Sequence, residues 1–321
     1  MKNLKRLHPK CFVPALAGLA LLGLAPPRAH AWNGTGHMVV ADIAYDNLTP
    51  RTKAAVDALL QKHHDYGLWM TEMPAGYTDK GRFAFMKAST WPDDIRGTPD
   101  SRPIWHYIDL PVVAPGYTPD PAALLVATPN AETQITAEAA LLTTKSAADG
   151  DRAVALCWVE HLIGDVHQPL HDSSLFSVQF PRGDKGGNDE SLAAGSVDRD
   201  PLEAAANPHK LHALWDDLLG NSHDPAAIQT LAGSLETPAY SRSTFPQLTA
   251  HKAVHDWVVE GNALAQKYVY LGETLPMTAT GNEKAEVTLP AGYLNAAHTV
   301  ADRQIVLAGL RLADTLNAAK M

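Results

Sequence analysis

The side chains best suited to chemistry in this sequence are histidines and aspartates spaced four residues apart. His161 and Asp165 have this spacing within a strongly apolar stretch, and His212 and Asp216 repeat it further along the chain. On a helix, residues four apart project from the same face, so each pair can reach one metal ion. A third histidine, His171, follows a proline that ends the first helix and turns the chain back toward it.

Two such pairs and a third histidine predict a site for several divalent metal ions. A single His/Asp pair is more often a surface ion pair, but His161 and Asp165 lie in an apolar helical stretch, where polar groups without partners are costly. Imidazole and carboxylate ligands without a thiolate suit zinc, and they also suit manganese or another transition metal. The sequence therefore predicts a metal centre, with zinc as the favoured ion.

Helical periodicity dominates the chain and predicts a mainly α-helical fold. Thr49 and Pro50 indicate the N-cap and first turn of a helix that ends at Leu60. Further helices are predicted at about 37–47, 81–90, 131–148, 151–166, 201–219, 225–235, 248–271 and 292–319. Extended segments are expected only at 104–110 and 285–289, and the polar segment 172–200 is expected to be a long loop, functional or disordered. No linker divides residues 32–321, so we expect a single domain.

The first 31 residues have the pattern of a secretory signal peptide. A basic start precedes an apolar run over residues 12–25, which is too short to span a membrane, and residues 29–31 (Ala-His-Ala) match a cleavage site. We expect export to the periplasm or the extracellular medium, with cleavage after Ala31 and Trp32 as the first mature residue. A membrane-anchoring helix is the alternative interpretation, and no other stretch is long enough to be transmembrane.

Charge and cysteine content limit the functions open to the mature chain. Residues 1–31 hold five Lys or Arg and no acidic residue, so the net charge of −9 becomes −14 once they are removed. This balance argues against a long basic groove for duplex nucleic acid, and an anionic substrate would have to be attracted by bound cations. Cys157 is the only cysteine of the expected mature chain, so no intrachain disulfide can form, and we expect a buried thiol.

Five motifs occur in a fixed order between Trp32 and Asp216. They are Trp32-x4-His37, Trp91-Pro-Asp93-Asp-Ile-Arg96, His106-Tyr-Ile-Asp109, the block His161–His171, and Gly186-Gly-Asn188 followed by His212-x3-Asp216. In this combination the chain resembles the zinc-dependent single-strand nuclease and 3′-nucleotidase family, the type I nucleases, which share a superfamily with bacterial zinc phospholipases C. The resemblance implies a single-domain helical bundle of the phospholipase C/nuclease superfamily type, with a cleft that holds three zinc ions.

The resemblance also implies which residues bind each ion. Trp32 would bind through its α-amino nitrogen and carbonyl oxygen. Because that amine is free only after signal cleavage, we expect export and activation to be coupled. The first ion would take Asp93, His106, His161 and Asp165, the second His171, His212 and Asp216, and the third Trp32, His37 and Asp165.

By the same resemblance, the activity is cleavage of single-stranded DNA and RNA to 5′-phosphate products and removal of the 3′-phosphate from nucleotides. Hydroxide formed at the zinc ions would attack phosphorus in line with the departing 3′-oxygen. Arg96 would contact the pentacovalent phosphate, and Asn188 would line the active site. Tyr107 would stack on a base and Asp109 would accept hydrogen bonds from it. The alternative roles are a core position for Tyr107 and support of His106 by Asp109.

Two other functions are compatible with the sequence. A zinc phospholipase C has the same superfamily fold, although the short spacing from Trp32 to His37 and the presence of Arg96 favour the nuclease branch. A metal-binding or storage protein without catalysis is the second alternative. No stable protein partner is implied, and we expect a monomer.

Overall fold

Helices make up most of the part of the chain that the computed structural model describes, residues 32–193 and 209–319. The mainly α-helical, single-domain fold predicted from the sequence is confirmed. The predicted signal peptide, residues 1–31, lies outside the described residues. The helices are α1 (Gly34–Asn47), α2 (Pro50–Leu60), α3 (Tyr66–Glu72), α4 (Lys80–Asp94), α5 (Ala131–Thr143), α6 (Asp149–Asp165), α7 (Leu211–Asp216), α8 (Pro225–Leu235), α9 (Gln247–Ala250), α10 (Val254–Leu264) and α11 (Tyr293–Ala318).

Two small β-sheets accompany the helices. In the first, β1 (Leu110–Val113) pairs in parallel with β2 (Ser173–Phe176). In the second, β5 (Lys284–Val287) pairs in parallel with β3 (Glu190–Leu192) and antiparallel with β4 (Met277–Gly281). The β1–β2 pair brings together the segments that precede the two strands, since Ile108 N donates to His171 O at 2.7 Å.

Local sequence explains where the first two helices begin. The side-chain oxygen of Asn33 accepts from Gly36 N at 3.2 Å and caps α1. Thr49 caps α2 by accepting from Thr52 N, and Pro50 occupies the first helical position, as predicted.

The centre of the core is α6, in which every residue from Ala155 to Asp165 is buried. This helix packs against α1, α4, α5 and α11, and it is buried around its whole circumference. Cys157 is buried within it, as predicted. The long helix α11 packs along α1. The two helices are in close contact at Gly309 of α11 and Ile43 of α1, where an added Cβ on Gly309 would lie only 2.7 Å from Ile43 Cγ2. Within the described ranges, no helix is long and apolar enough to cross a membrane.

Several predicted helix boundaries are wrong. The helix predicted at 81–90 continues through Pro92 to Asp94, because Trp91 and Pro92 are buried and their packing outweighs the lost backbone hydrogen bond. The helix predicted at 131–148 ends at Thr143. The helix predicted at 248–271 is divided into α9 and α10, followed by a π-helical turn over Ala265–Val269.

The extended and loop predictions also need correction. Residues Pro103–Trp105 form a 3-10 turn, and β1 begins only at Leu110, so the strand predicted at 104–110 is wrong for most of its length. The segment 172–200 contains β2 and β3 rather than a single loop, because these short strands are stabilised by distant partners. Of the helix predicted at 201–219, the structure describes α7, and residues 201–208 lie outside the described residues.

Candidate metal centre

Three buried helices supply the first group of histidines and aspartates. His37 lies on α1, Asp93 on α4, and both His161 and Asp165 on α6. The imidazole rings of His37 and His161 are stacked, with centroids 3.9 Å apart and planes 15° apart. His106 joins them from the segment between the Pro103–Trp105 turn and β1, and its ring meets that of His161 edge-on at 4.8 Å.

The ligand atoms of these side chains lie at separations that suit a shared cation. His106 Nδ1 lies 2.9 Å from His161 Nε2 and 3.2 Å from Asp165 Oδ2. Asp93 Oδ1 lies 3.6 Å from His161 Nε2, and His37 Nε2 lies 3.4 Å from Asp165 Oδ1. Ligands about 2.0–2.1 Å from one tetrahedral zinc lie about 3.4 Å from each other. Each carboxylate oxygen of Asp165 therefore faces a different set of histidines.

A second group of ligand atoms forms where α7 meets the turn after α6. His171, His212 and Asp216 are all buried. His212 Nε2 lies 3.6 Å from Asp216 Oδ2, and the rings of the two histidines are 5.0 Å apart. Gln168 Nε2 donates to Asp216 Oδ1 at 2.7 Å, which fixes that carboxylate. The group is thus held separately from the first one.

Backbone carbonyl groups fix the orientation of three of these imidazole rings. His161 Nδ1 donates to Ser89 O at 2.8 Å, and His212 Nδ1 donates to Gly186 O at 2.6 Å. His171 Nδ1 donates to His106 O in the same way, at 2.5 Å. Each bond leaves the Nε2 lone pair for another partner, which is the arrangement typical of metal-binding histidines.

Burial keeps His106 and His161 neutral. It lowers the pKa of His106 and of His161 to about 4, an effect that the nearby carboxylate of Asp165 opposes. A neutral imidazole has the lone pair that a metal ion needs. The donor set of nitrogen and carboxylate oxygen, oriented rings and ligand-like separations fits a divalent metal, and three groups of this kind occur in the described residues: His37, His161 and Asp165; Asp93, His106 and His161; His171, His212 and Asp216.

Asp184 organises the glycine turn (residues 183–189) beside the second group. Its buried carboxylate accepts hydrogen bonds from the backbone N–H groups of Leu175, Gly186 and Gly187 and from the hydroxyl groups of Ser174 and Tyr270. Gly186 and Gly187 have φ values of 60° and 79°, a conformation that favours glycine. Since Gly186 O accepts from His212 Nδ1 and Gly187 O from His212 N, the turn positions that histidine.

Trp32 is fully buried at the start of the described residues. A Cβ at Gly36 would lie 2.6 Å from Trp32 Cβ, so the chain folds tightly over the first turn of α1. The next residue, Asn33, donates through its backbone N–H to Asp216 O at 3.2 Å. Trp32 therefore lies between the helix that carries His37 and the helix that carries Asp216.

Four further residues were predicted to contact substrate. Arg96 lies beside the first group, where its Nε donates to Asp93 Oδ1 at 2.7 Å. Tyr107 is 37% exposed, so it is not a core residue. Asp109 is partly buried, and burial followed by the nearby charge of Asp184 raises its pKa to about 7. The amide of Asn188 donates to Lys185 O at 2.8 Å, within the glycine turn.

A fourth cluster of potential ligands, His63, His64 and Asp65, is less buried, and several of its polar atoms have other partners. The side chain of His64 is 60% exposed, and Trp91 Nε1 donates to Asp65 Oδ2 at 2.8 Å. His63 Nδ1 accepts from Asp65 N, and the ring packs on Trp69. His63 therefore packs against its neighbours in the core.

His167 lies inside the His161–His171 block but serves the scaffold. Its Nδ1 donates to Ile163 O at 2.7 Å, and its Nε2 accepts from Arg311 of α11 at 2.9 Å. These bonds tie α6 to α11.

Residues 32–320 match the family model described as S1/P1 nuclease. The chain belongs to the S1/P1 nuclease family. The family resemblance inferred from the five motifs is thereby confirmed.

The relatives of this nuclease include plant endonucleases. It is 25% identical to Endonuclease 3 of Arabidopsis thaliana over 312 residues, 90% of this chain and 89% of the relative. Identity to Endonuclease 4 of the same plant is also 25%, over 315 residues, with 90% and 89% coverage. Identity to Endonuclease 2 is 26% over 299 residues, 84% of this chain and 91% of the relative. Family and relatives together support nuclease activity, a hydrolytic reaction on nucleic acid.

Sequence reasoning missed several residues of this nuclease that shape the centre without being ligands. Ser89 contributes only a carbonyl oxygen, which no side-chain pattern reveals. Gln168 lies within the His161–His171 block, and its position between two predicted ligand histidines was the available signal. Gly164 matters because a Cβ there would lie 2.8 Å from His37 Nδ1.

Proposed function

We propose that this nuclease is a zinc-dependent phosphodiesterase that cleaves single-stranded DNA and RNA to 5′-phosphate products and removes the 3′-phosphate from nucleotides. The observation that carries the proposal is the position of Asp165. Its two carboxylate oxygens face His37 on one side and His106 with His161 on the other, so two adjoining ligand sets share one residue. Close pairs of metals are typical of enzymes that hydrolyse phosphate esters.

Three zinc ions are proposed. Bound zinc would supply Lewis-acid stabilisation of phosphate oxygens and a lowered pKa for water. Trp32 is proposed to contribute its α-amino nitrogen and carbonyl oxygen, and its burial next to α1 supports this role. The proposed ligand sets are Asp93, His106, His161 and Asp165; His171, His212 and Asp216; and Trp32, His37 and Asp165.

The side chains around these sets are proposed to hold the scissile phosphate. Water adds to phosphorus opposite the 3′-oxygen, and the bond from phosphorus to that oxygen breaks. Arg96 is anchored on Asp93 and carries five N–H donors, so its guanidinium can serve both the carboxylate and the phosphate oxygens. Asn188 lies in the turn that holds His212 and is proposed to line the same cleft.

Base contacts are proposed to come from the segment after His106. The exposed ring of Tyr107 offers a face for stacking, and the Asp109 carboxyl group can hydrogen-bond the base edge. A duplex keeps its bases stacked on each other, so a site that needs one free base favours single strands. The net charge of −9 also argues against a duplex-binding surface.

The chain is proposed to act as a monomer outside the cytoplasm, in the periplasm or the medium, after cleavage following Ala31. Support comes from the burial of Trp32. A free amine at that position is a ligand only in the cleaved chain, which links export to metal loading.

Metal analysis combined with substrate assays tests the proposed function. Protein beginning at Trp32 should contain three zinc ions per chain and should cleave denatured DNA, RNA and 3′-AMP, with duplex DNA cleaved poorly. Asp165→Asn should lower zinc content and reduce kcat by about a hundredfold or more, since removed metal ligands have at least the effect of their supporting residues. Zinc without turnover on any phosphate ester would contradict the proposal.

The phospholipase alternative is tested in the same assay. Membership of the S1/P1 nuclease family favours nucleic acid over lipid substrates. Hydrolysis of phosphatidylcholine without hydrolysis of denatured DNA or RNA would reverse the assignment.

A further inference from the structure

Two lysines contact the buried carboxylate of Asp189, at the edge of the glycine turn, and a third lysine lies nearby. Lys185 Nζ lies 2.9 Å from Asp189 Oδ2, and Lys284 Nζ contacts Oδ1 of the same group. Lys210 Nζ donates to Ser191 Oγ at 2.9 Å, one strand position away. Asp189 is 3% exposed, whereas Lys185 and Lys284 expose 69% and 50% of their side chains. Lys185, Lys210 and Lys284 are called the lysine trio below.

The lysine trio is assembled by the second β-sheet. Ala285 N donates to Asp189 O at 3.2 Å, next to the β3–β5 pairing. This bond places Lys284, the residue before Ala285, beside Asp189. Lys210 forms an isolated bridge with Ser191 on the other side of β3. Burial, followed by the positive charge of Lys284, lowers the pKa of Lys210, so the cationic groups are close enough to repel one another.

The trio lies next to the second group of metal ligands. Lys185 directly precedes Gly186, whose carbonyl oxygen accepts from His212 Nδ1. Lys210 lies two residues before His212 on the same segment. The cations therefore flank the proposed cleavage site and are not among its proposed ligands.

The local charge is opposite to that of the whole chain. Three lysines lie beside two carboxylates, those of Asp189 and the buried Asp184. Burial, followed by the negative charge of Asp184, raises the pKa of neighbouring Glu190 well above its usual value. The neighbouring Arg182 is paired with Glu283. A net positive patch in a chain of net charge −9 is suited to an anion with several charges.

We propose that the lysine trio binds backbone phosphates of a single strand that neighbour the phosphate being cleaved. The proposal rests on the proposed function of the metal centre. A 3′-mononucleotide has no neighbouring phosphate, so the trio would favour polynucleotides over mononucleotides. Contacts to phosphate carry no base information, and sequence preference would be unaffected.

The test uses Lys185→Gln, Lys210→Gln, Lys284→Gln and the triple variant, with Lys145→Gln, an exposed lysine after α5, as the matched control. The ratio of kcat/KM on a twenty-nucleotide oligothymidylate to kcat/KM on 3′-AMP is measured at several salt concentrations. Each lost phosphate contact should lower the ratio about fivefold near 0.1 M salt. A plot of the logarithm of the ratio against the logarithm of the salt concentration should become shallower by about 0.7 per lost contact. The Lys145→Gln ratio and slope should equal those of the wild type.

Binding of a phosphorothioate oligothymidylate, which keeps the charges and resists hydrolysis, is measured in parallel by fluorescence anisotropy. If the wild type cleaves no single strand, the proposed function fails, and the salt slope of binding still tests the trio. The proposal would be overturned if the kcat/KM ratio and the oligothymidylate affinity of the triple variant depended on salt as steeply as those of the wild type. An equal loss on both substrates would also overturn it, because the lysines would then act on the metal centre itself.

Discussion

His37 packs directly against Gly164: a Cβ added at residue 164 would lie 2.8 Å from His37 Nδ1. The absence of a side chain on α6 at this point allows α1 to come close enough for His37 to stack on His161 and to face Asp165. One small residue thus sets both the distance between two core helices and the separation of two proposed ligands.

Replacing Gly164 by alanine should therefore disturb the metal centre before it disturbs the fold. The added methyl group must displace the His37 ring, and overpacking of this kind costs about 1–3 kcal/mol. We expect zinc affinity or activity to fall about 10–100-fold, measured by metal titration and hydrolysis of denatured DNA. The control is Gly233→Ala in α8, where no atom lies within 4 Å of the added Cβ. Full activity of Gly164→Ala would contradict the proposed role of His37.

Asp184→Asn should weaken metal binding at His171, His212 and Asp216. All five partners of this buried carboxylate are donors, and an amide replaces one acceptor with a further donor. We expect a loss of about 2–4 kcal/mol in the free energy of unfolding and a loss of one zinc ion per chain. Urea unfolding and metal analysis measure the two effects. Asp120→Asn, at an exposed residue that also accepts a backbone N–H, should change neither.

An additional residue before Trp32 should remove one zinc ion. An extension converts the α-amino group into an amide, which has no lone pair for a metal, and Trp32 is buried with no exposed surface. We expect protein carrying one extra alanine to bind two zinc ions and to lose most of its activity. The comparison is protein that begins at Trp32, made by correct cleavage. Equal zinc content in the two proteins would show that the terminal amine is not a ligand.

The carboxyl group of Asp109 should make stability depend on pH in the chelator-treated protein. Burial, followed by the charge of Asp184, raises its pKa from about 3.8 to about 7. The folded state then holds a proton that the unfolded chain releases, so this contribution to stability is complete below pH 4 and is lost as pH rises to 7. Between pH 5 and pH 8 the loss is about 3 kcal/mol.

In Asp109→Asn the free energy of unfolding should not show this decrease between pH 5 and pH 8, because an amide does not titrate. Urea unfolding of wild type and variant at pH 5 and pH 8 provides the measurement. Asp120→Asn should follow the wild-type profile. Parallel profiles for wild type and Asp109→Asn would show that the Asp109 pKa is near its ordinary value.

The ligand pairs were predictable because helical spacing alone places two side chains on one face. His161 with Asp165 and His212 with Asp216 needed only the four-residue interval and an apolar context. The convergence of the separate motifs into adjoining clusters of histidine and aspartate was predictable only through the family resemblance. Spacing along the sequence does not determine how α1, α4 and α6 cross.

The remaining features depend on contacts between distant segments. The pairing of β1 with β2 and of β3 with β5 joins strands that are too short to show a clear alternation of apolar and polar residues. For this reason the position of Lys284 beside Asp189 could not be inferred from the sequence. The same applies to Gly164, whose importance comes from the ring that lies against it rather than from its neighbours in the chain.

The close packing of α11 on α1 at Gly309 and Ile43 has a consequence for biosynthesis. The helix that carries His37 precedes α11 by about 250 residues in the chain, so it is synthesised well before its packing partner. The helix that carries His37 therefore cannot complete its packing until α11 has been synthesised and has docked on it.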